Sequence, residues 1–367
     1  MSDPGTETST VVLPPAPGRR DHKFHPLRVA RVVKETDDAR SYELDIPAEL
    51  RGTYAYLAGQ FCTFRVHVDG EEHLRSYSMS SSPDSALTVT VKLVPGGAVS
   101  GWLIDNVHEG DELEVTPPGG VFCLQDDELP VVAFCGGSGI TPVMSLVRTG
   151  LAESGRRFAL LYANRSPDSV IFDAALRELQ EQHDGRLVVR HHADSDGGFL
   201  TSDDVLAFVD AQPGDARYYV CGPNLFMALV ERALLDRGVP AERIHIERFG
   251  AATPPLPIES DGPPADAGDA TGDVVPETIT LVLKGKTHEL KYVRGDTVLE
   301  TARRGALSPP FSCEAGNCAT CMAMLHAGSA HMRNNNALTD EEVDEGWILT
   351  CQSTVTGSEV KVEYEDL

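Results

Sequence analysis

Along the first third of the chain, apolar and polar residues alternate in short runs. Leu27-Arg28-Val29-Ala30-Arg31-Val32-Val33, Phe61-Cys62-Thr63-Phe64-Arg65-Val66, Leu87-Thr88-Val89-Thr90-Val91-Lys92-Leu93 and Glu112-Leu113-Glu114-Val115 follow the two-residue period of strands with one buried face. Asp69-Gly70 and Pro95-Gly96-Gly97 supply turns between them. Short strands divided this way predict an antiparallel barrel over residues 25–125.

The rhythm changes over residues 126–250. Val131-Val132-Ala133-Phe134-Cys135, Phe158-Ala159-Leu160-Leu161-Tyr162 and Tyr218-Tyr219-Val220-Cys221 are continuous apolar runs, as in strands buried on both faces. Helical stretches at Asp173–His183 and Asn224–Arg237 fall between or after them. Strands alternating with helices predict a parallel sheet covered on both sides.

Residues 251–276 are dominated by Pro, Ala, Asp and Gly, which predicts a flexible acidic linker. Residues 277–367 open with a hairpin about Lys284-Gly285, followed by a helix near Thr297–Arg304. Residues 1–24, rich in Pro, Ser and Thr, are expected to be a disordered tail. The expectation is a multidomain chain: β-barrel, α/β parallel-sheet domain, linker, and a small α+β domain.

Composition narrows the partners. A net charge of −25 disfavours nucleic acid and anionic membranes. No apolar run is long enough to span a membrane, and no signal-like segment is evident, so the expected location is the cytoplasm. Cys62, Cys123, Cys135 and Cys221 are scattered, which fits reduced thiols in that compartment.

The other four cysteines carry chemistry. Cys313, Cys318 and Cys321 are spaced C-x4-C-x2-C, and Cys351 follows after 29 intervening residues. This is the spacing by which plant-type ferredoxins ligate a [2Fe–2S] cluster through thiolates. A structural zinc site is the alternative, but it favours two separated C-x2-C pairs, and only one pair is present. Gly316, Ala315 and Ala319 leave room for backbone N–H groups near the sulfides, although ferredoxins often have glycine at the Ala319 position.

Arg75-Ser76-Tyr77-Ser78 resembles the flavin motif of the ferredoxin–NADP reductase family. The resemblance implies that Arg75 pairs with the FAD pyrophosphate, Tyr77 packs on the isoalloxazine ring and Ser78 lies near its N5. Guanidinium suits phosphate and an aromatic face suits a planar ring. Val91-Lys92-Leu93 matches the family's second flavin strand, and Gly97-Ala98-Val99-Ser100 the segment that opens a helix toward the pyrophosphate.

Cys135-Gly136-Gly137-Ser138-Gly139-Ile140-Thr141-Pro142 joins an expected strand to an expected helix, with Thr141 as its cap and Pro142 at its first position. It is similar to the family's dinucleotide loop. Cys221-Gly222-Pro223, with Met227, resembles the segment beside the nicotinamide, where Cys221 would position rather than attack. Asn164-Arg165-Ser166 falls where the family holds the adenosine ribose. Arg165 could meet a 2′-phosphate, yet Tyr162-Ala163-Asn164-Arg165 also occurs in NADH-using members, so NADH is expected over NADPH. The resemblance sets Glu247 and Phe249 near the flavin, with Glu247 handling a proton; a final core strand is the plainer reading of both. His191 and His192 read as a solvated strand end.

The order of flavin barrel, nucleotide sheet, linker and plant-type ferredoxin resembles the reductase components of multicomponent oxygenases. Arg75–Pro83, Ser138–Ser145, Val170–Phe172 and Asp344–Ser353 bring it nearest the 3-ketosteroid 9α-hydroxylase reductases. Phenylacetyl-CoA epoxygenase reductases share the layout. The implied function is electron transfer from NADH through FAD and a [2Fe–2S] cluster to a terminal oxygenase of Rieske type acting on steroids or aromatic rings. A di-iron epoxygenase partner, a stand-alone NAD(P)H oxidoreductase of small acceptors and a redox sensor are the alternatives. The chain is expected to be a monomer meeting its partner transiently, guided by charge at Asp340-Glu341-Glu342 and Asp344-Glu345.

Overall fold

The computed structural model describes residues 24–212, 214–249, 274–307, 309–311, 316, 319–335 and 337–364. The expected tail, apart from Phe24, most of the expected linker, and Cys313 and Cys318 lie outside the described residues.

The first sheet has six antiparallel strands: β1 (His25–Thr36), β2 (Ala39–Asp45), β3 (Phe61–Val68), β4 (Glu71–Ser78), β5 (Thr88–Lys92) and β6 (Glu112–Val115). Their order is β4-β3-β6-β1-β2-β5. A bridge between Met79 and Val89 brings the two edge strands together and closes the barrel. Asp69 and Gly70 both have positive φ, 53° and 84°, as a tight hairpin turn requires. Helix α1 (Ala98–Asn106) follows β5. Leu27, Val29, Tyr42, Phe64, Val89 and Leu103 fill the barrel core.

The second sheet is parallel. It comprises β7 (Val131–Gly136), β8 (Phe158–Asn164), β9 (Leu187–Ala193), β10 (Arg217–Cys221) and β11 (Ile244–Glu247), ordered β11-β10-β7-β8-β9. Every residue of β7 and β8 is buried, which explains their unbroken apolar runs. Helices α2 (Ile140–Glu153), α3 (Asp173–Gln182), α4 (Asp194–Gly197), α5 (Ser202–Asp210) and α6 (Asn224–Asp236) connect the strands. One core packs Ile140, Val143, Leu160 and Leu176 on one face of the sheet; another packs Val132, Phe134, Phe208 and Leu234 on the other. Each such aliphatic or aromatic side chain contributes about 1.5–3 kcal/mol by leaving water.

Eleven of the fourteen residues of α2 are buried. It is apolar nearly all round because it lies between the sheet and the barrel. Arg148 donates to the Ser80 carbonyl at 2.7 Å, and Ser145 to the Ser81 carbonyl at 2.6 Å. These bonds dock the barrel on the helix that begins at the glycine loop.

The third sheet is mixed: β12 (Thr278–Leu283), β13 (Lys286–Lys291), β14 (Met322–Met332), β15 (Trp347–Leu349) and β16 (Ser353–Glu363), ordered β13-β12-β16-β14-β15. β12 and β16 run parallel, and the remaining pairs are antiparallel. Helix α7 (Val298–Arg304) starts at a capping box between Thr297 and Glu300, and α8 (Asp340–Asp344) at one between Thr339 and Glu342. Glu342 is therefore turned inward and buried, so the acidic surface of α8 comprises Asp340, Glu341 and Asp344, with Glu345 beyond it.

Candidate functional site

Ser78 ends β4, where pairing with Phe61 of β3 holds it in register. Its hydroxyl donates to Glu247 Oε2 at 3.0 Å, joining the barrel to the last strand of the parallel sheet. Glu247 is buried, and burial pushes its carboxyl up to about 8 against the opposing pull of the Ser78 hydrogen bond. Cys221 ends β10 and pairs in parallel register with Glu247 on one side and Cys135 on the other. It is fully buried, and burial raises its thiol well above the ordinary value, with the nearby Glu247 and Cys135 adding to the rise. A protonated, enclosed thiol suits packing and positioning, not nucleophilic attack. The fold thus gathers Ser78, Cys221 and Glu247.

The remaining flavin-motif residues line up on the same strands. Arg75 is exposed, and among the described residues no carboxylate lies within ion-pair distance of it. Ser76 shares a hydrogen bond with Thr63 at 2.9 Å, and Tyr77 meets Phe64 edge-on at 5.4 Å. Lys92 reaches past the barrel: its ammonium lies 3.7 Å from where a Cβ on Gly137 would sit, so it faces the dinucleotide loop. Ser100 accepts the Val94 N–H at 3.0 Å, and the turn crowds Gly97. Val91 and Val99 are core residues of the barrel, which leaves their backbones alone for any ligand. Phe249 packs, partly buried, against the core that includes Cys221.

In the glycine loop, a Cβ on Gly139 would lie 2.0 Å from the Cys221 carbonyl oxygen, and one on Gly136 2.6 Å from Pro223. Gly222 fits as closely against Gly136. These glycines let the loop after β7 and the loop after β10 approach each other. Gly137 has φ +53° and an open side toward Lys92, so it is the position with room for an anion. The expected cap at Thr141 and the expected first position at Pro142 are corrected, because the helix starts at Ile140. Gly139 is the N-cap, and Thr141, inside the helix, donates back to the Ser138 carbonyl at 3.0 Å. Met227 is fully buried in the sheet core, so its side chain is structural. Asn164 is buried at the end of β8, and Arg165 beyond it is exposed. His191 and His192 lie on edge strand β9, as a solvated strand end requires.

Of the four cluster cysteines, Cys321 and Cys351 are described; both are buried, neither is in a disulfide, and they share one small core. Thr350 ties them: its N–H and hydroxyl both donate to the Cys321 carbonyl, at 3.1 and 2.8 Å. Gln352 points its amide at Cys351 Sγ, 3.7 Å away. Gly316 has φ +76°, and a Cβ there would lie 2.5 Å from the Asn334 carbonyl oxygen. Ala319 sits at φ +52°, a conformation that favours glycine. A cavity of about 380 Å³ lies between these parts, lined by Val121, Phe122, Glu247, Arg248 and Asn334 among others. Asn334, whose carbonyl oxygen crowds Gly316, thus borders the same space as Glu247.

These features fit the groups that the motifs imply. An exposed guanidinium suits a diphosphate, an open glycine beside an ammonium suits a second phosphate, and buried thiols suit iron. Sequence reasoning missed Asp38, Arg148 and Asn334. Each acts through a partner distant in sequence, and no local pattern marks it.

Comparison with known proteins finds three domain families along the chain. Residues 26–123 match the oxidoreductase FAD-binding domain, 134–232 the oxidoreductase NAD-binding domain, and 281–356 the 2Fe-2S iron-sulfur cluster binding domain. The chain is 39% identical over 352 residues to the ferredoxin reductase component of the 3-ketosteroid-9-alpha-monooxygenase of Mycolicibacterium smegmatis, covering 93% of this chain and 97% of that protein. It is 32% identical over 352 residues to the reductase component of the glycine betaine monooxygenase of Pseudomonas aeruginosa, covering 93% and 95%. Among solved structures, a phthalate dioxygenase reductase, described as modular for electron transfer from pyridine nucleotides to [2Fe-2S], superposes with a TM-score of 0.55 at 27% identity, covering 93% of this chain and 98% of that one.

Proposed function

Because this chain belongs to the family of oxygenase reductase components that join FAD-, NAD- and [2Fe–2S]-binding domains, we propose that it carries electrons from NADH to a steroid-hydroxylating oxygenase of Rieske type. The likeness to the ketosteroid monooxygenase reductase supports the choice of partner. We propose domains at residues 25–125, 126–250 and 277–367, with a tail at 1–24 and a linker at 251–276. A monomer in the cytoplasm, meeting its partner transiently, completes the reading. Among the described residues no helix is long and apolar enough to cross a membrane.

When bound, FAD supplies the exchange between a two-electron nicotinamide donor and a one-electron iron–sulfur acceptor. The chain's own residues then have separate tasks. Arg75, with Ser76 and the N–H groups that open α1, holds the diphosphate. Tyr77 and Phe249 flank the flavin ring. Gly137 and Ser138 receive the dinucleotide, joined there by Lys92, which the sequence set with the flavin residues but whose ammonium faces Gly137; Asn164 and Arg165 lie at its ribose end, and the Cys221-Gly222-Pro223 turn sets the nicotinamide. Glu247 keeps its proton at neutral pH, because burial raises it to about 8, and it holds that proton beside the Ser78 hydroxyl. Cys313, Cys318, Cys321 and Cys351 hold the cluster.

The observation that supports this reading is the Ser78–Glu247 hydrogen bond beside Cys221, which joins β4 of the barrel to β11 and its neighbour β10. Reconstitution tests it: the reduced protein should support steroid hydroxylation by a Rieske oxygenase and leave a di-iron epoxygenase idle. The opposite preference would overturn the choice of partner.

A further inference from the structure

Barrel and parallel sheet also meet through charge. Asp38 occupies the turn between β1 and β2, and the turn fixes it. Thr36 donates its hydroxyl to Asp38 Oδ1 at 2.8 Å, and the Asp38 carbonyl accepts the Leu93 N–H at 2.7 Å. The other carboxylate oxygen, Oδ2, lies 2.5 Å from Arg165 Nη2 and 3.9 Å from Lys92 Nζ. Asp38 is only 22% exposed, whereas Arg165 is 68% exposed. The Arg165 carbonyl accepts the Ser195 N–H at 3.0 Å, which brings α4 alongside, with Asp194 and Asp196 in its first turn.

The crevice at the ends of β7 and β8 therefore has an ammonium at its glycine loop and a guanidinium at its ribose end. Asp38 of the barrel engages both, Lys92 within its own domain and Arg165 across the seam. A ribose 2′-hydroxyl needs no cation. A 2′-phosphate carries close to two negative charges and needs one, and here it would have to displace a carboxylate that the turn holds in place.

We propose that Asp38 is a selectivity-determining residue: by pairing with Arg165 across the domain seam, it withholds that guanidinium from a ribose 2′-phosphate and so favours NADH over NADPH. The inference rests on the reading above that NADH is the donor.

Equilibrium binding of NAD+ and NADP+ to the oxidised, FAD-loaded protein tests it without turnover. Asp38→Asn keeps the shape of the turn and removes the charge. It should strengthen NADP+ binding about tenfold relative to NAD+, the scale of one charge-assisted contact. Adding Arg165→Gln should cancel the gain, because the freed guanidinium is its source. Flavin content and the melting curve establish that each variant is folded, and Asp38→Ser provides a second variant if Asp38→Asn is not. A wild-type preference for NAD+ that the Asp38 variants leave unmoved overturns this inference alone, as does a gain that survives Arg165→Gln. A wild-type protein that binds NADP+ more tightly overturns the NADH reading and the inference together.

Discussion

Ser78 and Glu247, 169 residues apart in sequence, share a hydrogen bond of 3.0 Å across the seam between barrel and parallel sheet. Glu247 is thereby a buried carboxyl in contact with the strand that carries Arg75-Ser76-Tyr77-Ser78, and Cys221 is its neighbour in register. A proton kept there lies inside the site and away from solvent.

That proton gives the first prediction. Burial raises Glu247 to about 8 in the folded chain, above the 4.5 of an ordinary glutamate. The folded state binds this proton more firmly than the unfolded one, so its contribution to stability is complete below the unfolded value and is lost as pH rises toward the folded one. Melting temperature should therefore fall between about pH 5 and pH 9 in the wild type and fall less steeply in Glu247→Gln. Parallel curves for the two proteins would show that Glu247 titrates normally.

Cys221 is enclosed and its thiol raised, which fits the positioning role proposed for it. Cys221→Ala should keep the flavin and iron–sulfur absorption and slow flavin reduction by NADH about tenfold, as misplacement of a bound reactant does. Iodoacetamide should leave the wild-type residue unmodified in the folded protein. Rapid alkylation of Cys221 would contradict its burial.

Helix α2 is docked to the barrel through Arg148 and Ser145. Arg148→Met removes the donor to the Ser80 carbonyl and should cost about 1–3 kcal/mol, the penalty of leaving a buried partner unsatisfied. Denaturant unfolding measures the loss, and FAD should dissociate faster from the variant. An unchanged midpoint would mean that the seam does not depend on this bond.

Ala319 holds a left-handed conformation in the cysteine loop, and Gly316 another. Ala319→Gly should relieve about 1 kcal/mol of strain and slow thermal loss of the cluster, followed by its visible absorption. Gly316→Ala should do the reverse, since its Cβ would meet the Asn334 carbonyl. Faster cluster loss from Ala319→Gly would show that loop entropy outweighs the strain.

Much of this was legible in the sequence for physical reasons. The fully buried strands β7 and β8, and β10 beyond its half-buried Arg217, need continuous apolar runs, and Asp69-Gly70 and the Gly285 of the second hairpin are residue types that tolerate the positive φ of their turns. The thiolate spacing was visible because one short loop carries three of the ligands. Other features were hidden for equally physical reasons. Edge strand β9 is half solvated, with Val188 48% exposed, so its pattern is weak. Met227 and Val99 sit within functional-looking motifs, yet they point into cores, a direction that helix geometry decides. Asp38 and Arg165 meet only because two domains pack together, and separate sequence segments carry no record of that packing.

The central claim is that electrons enter at the Ser78–Cys221–Glu247 site and leave through the cluster cysteines. Anaerobic stopped-flow absorption after mixing with NADH tests it most directly, comparing the wild type with Cys351→Ser. The wild type should bleach in the flavin bands and then in the iron–sulfur bands, and should reduce its oxygenase. Cys351→Ser should show the flavin phase alone and deliver nothing to the oxygenase. Full delivery by the variant would contradict the account and make the cluster a bystander.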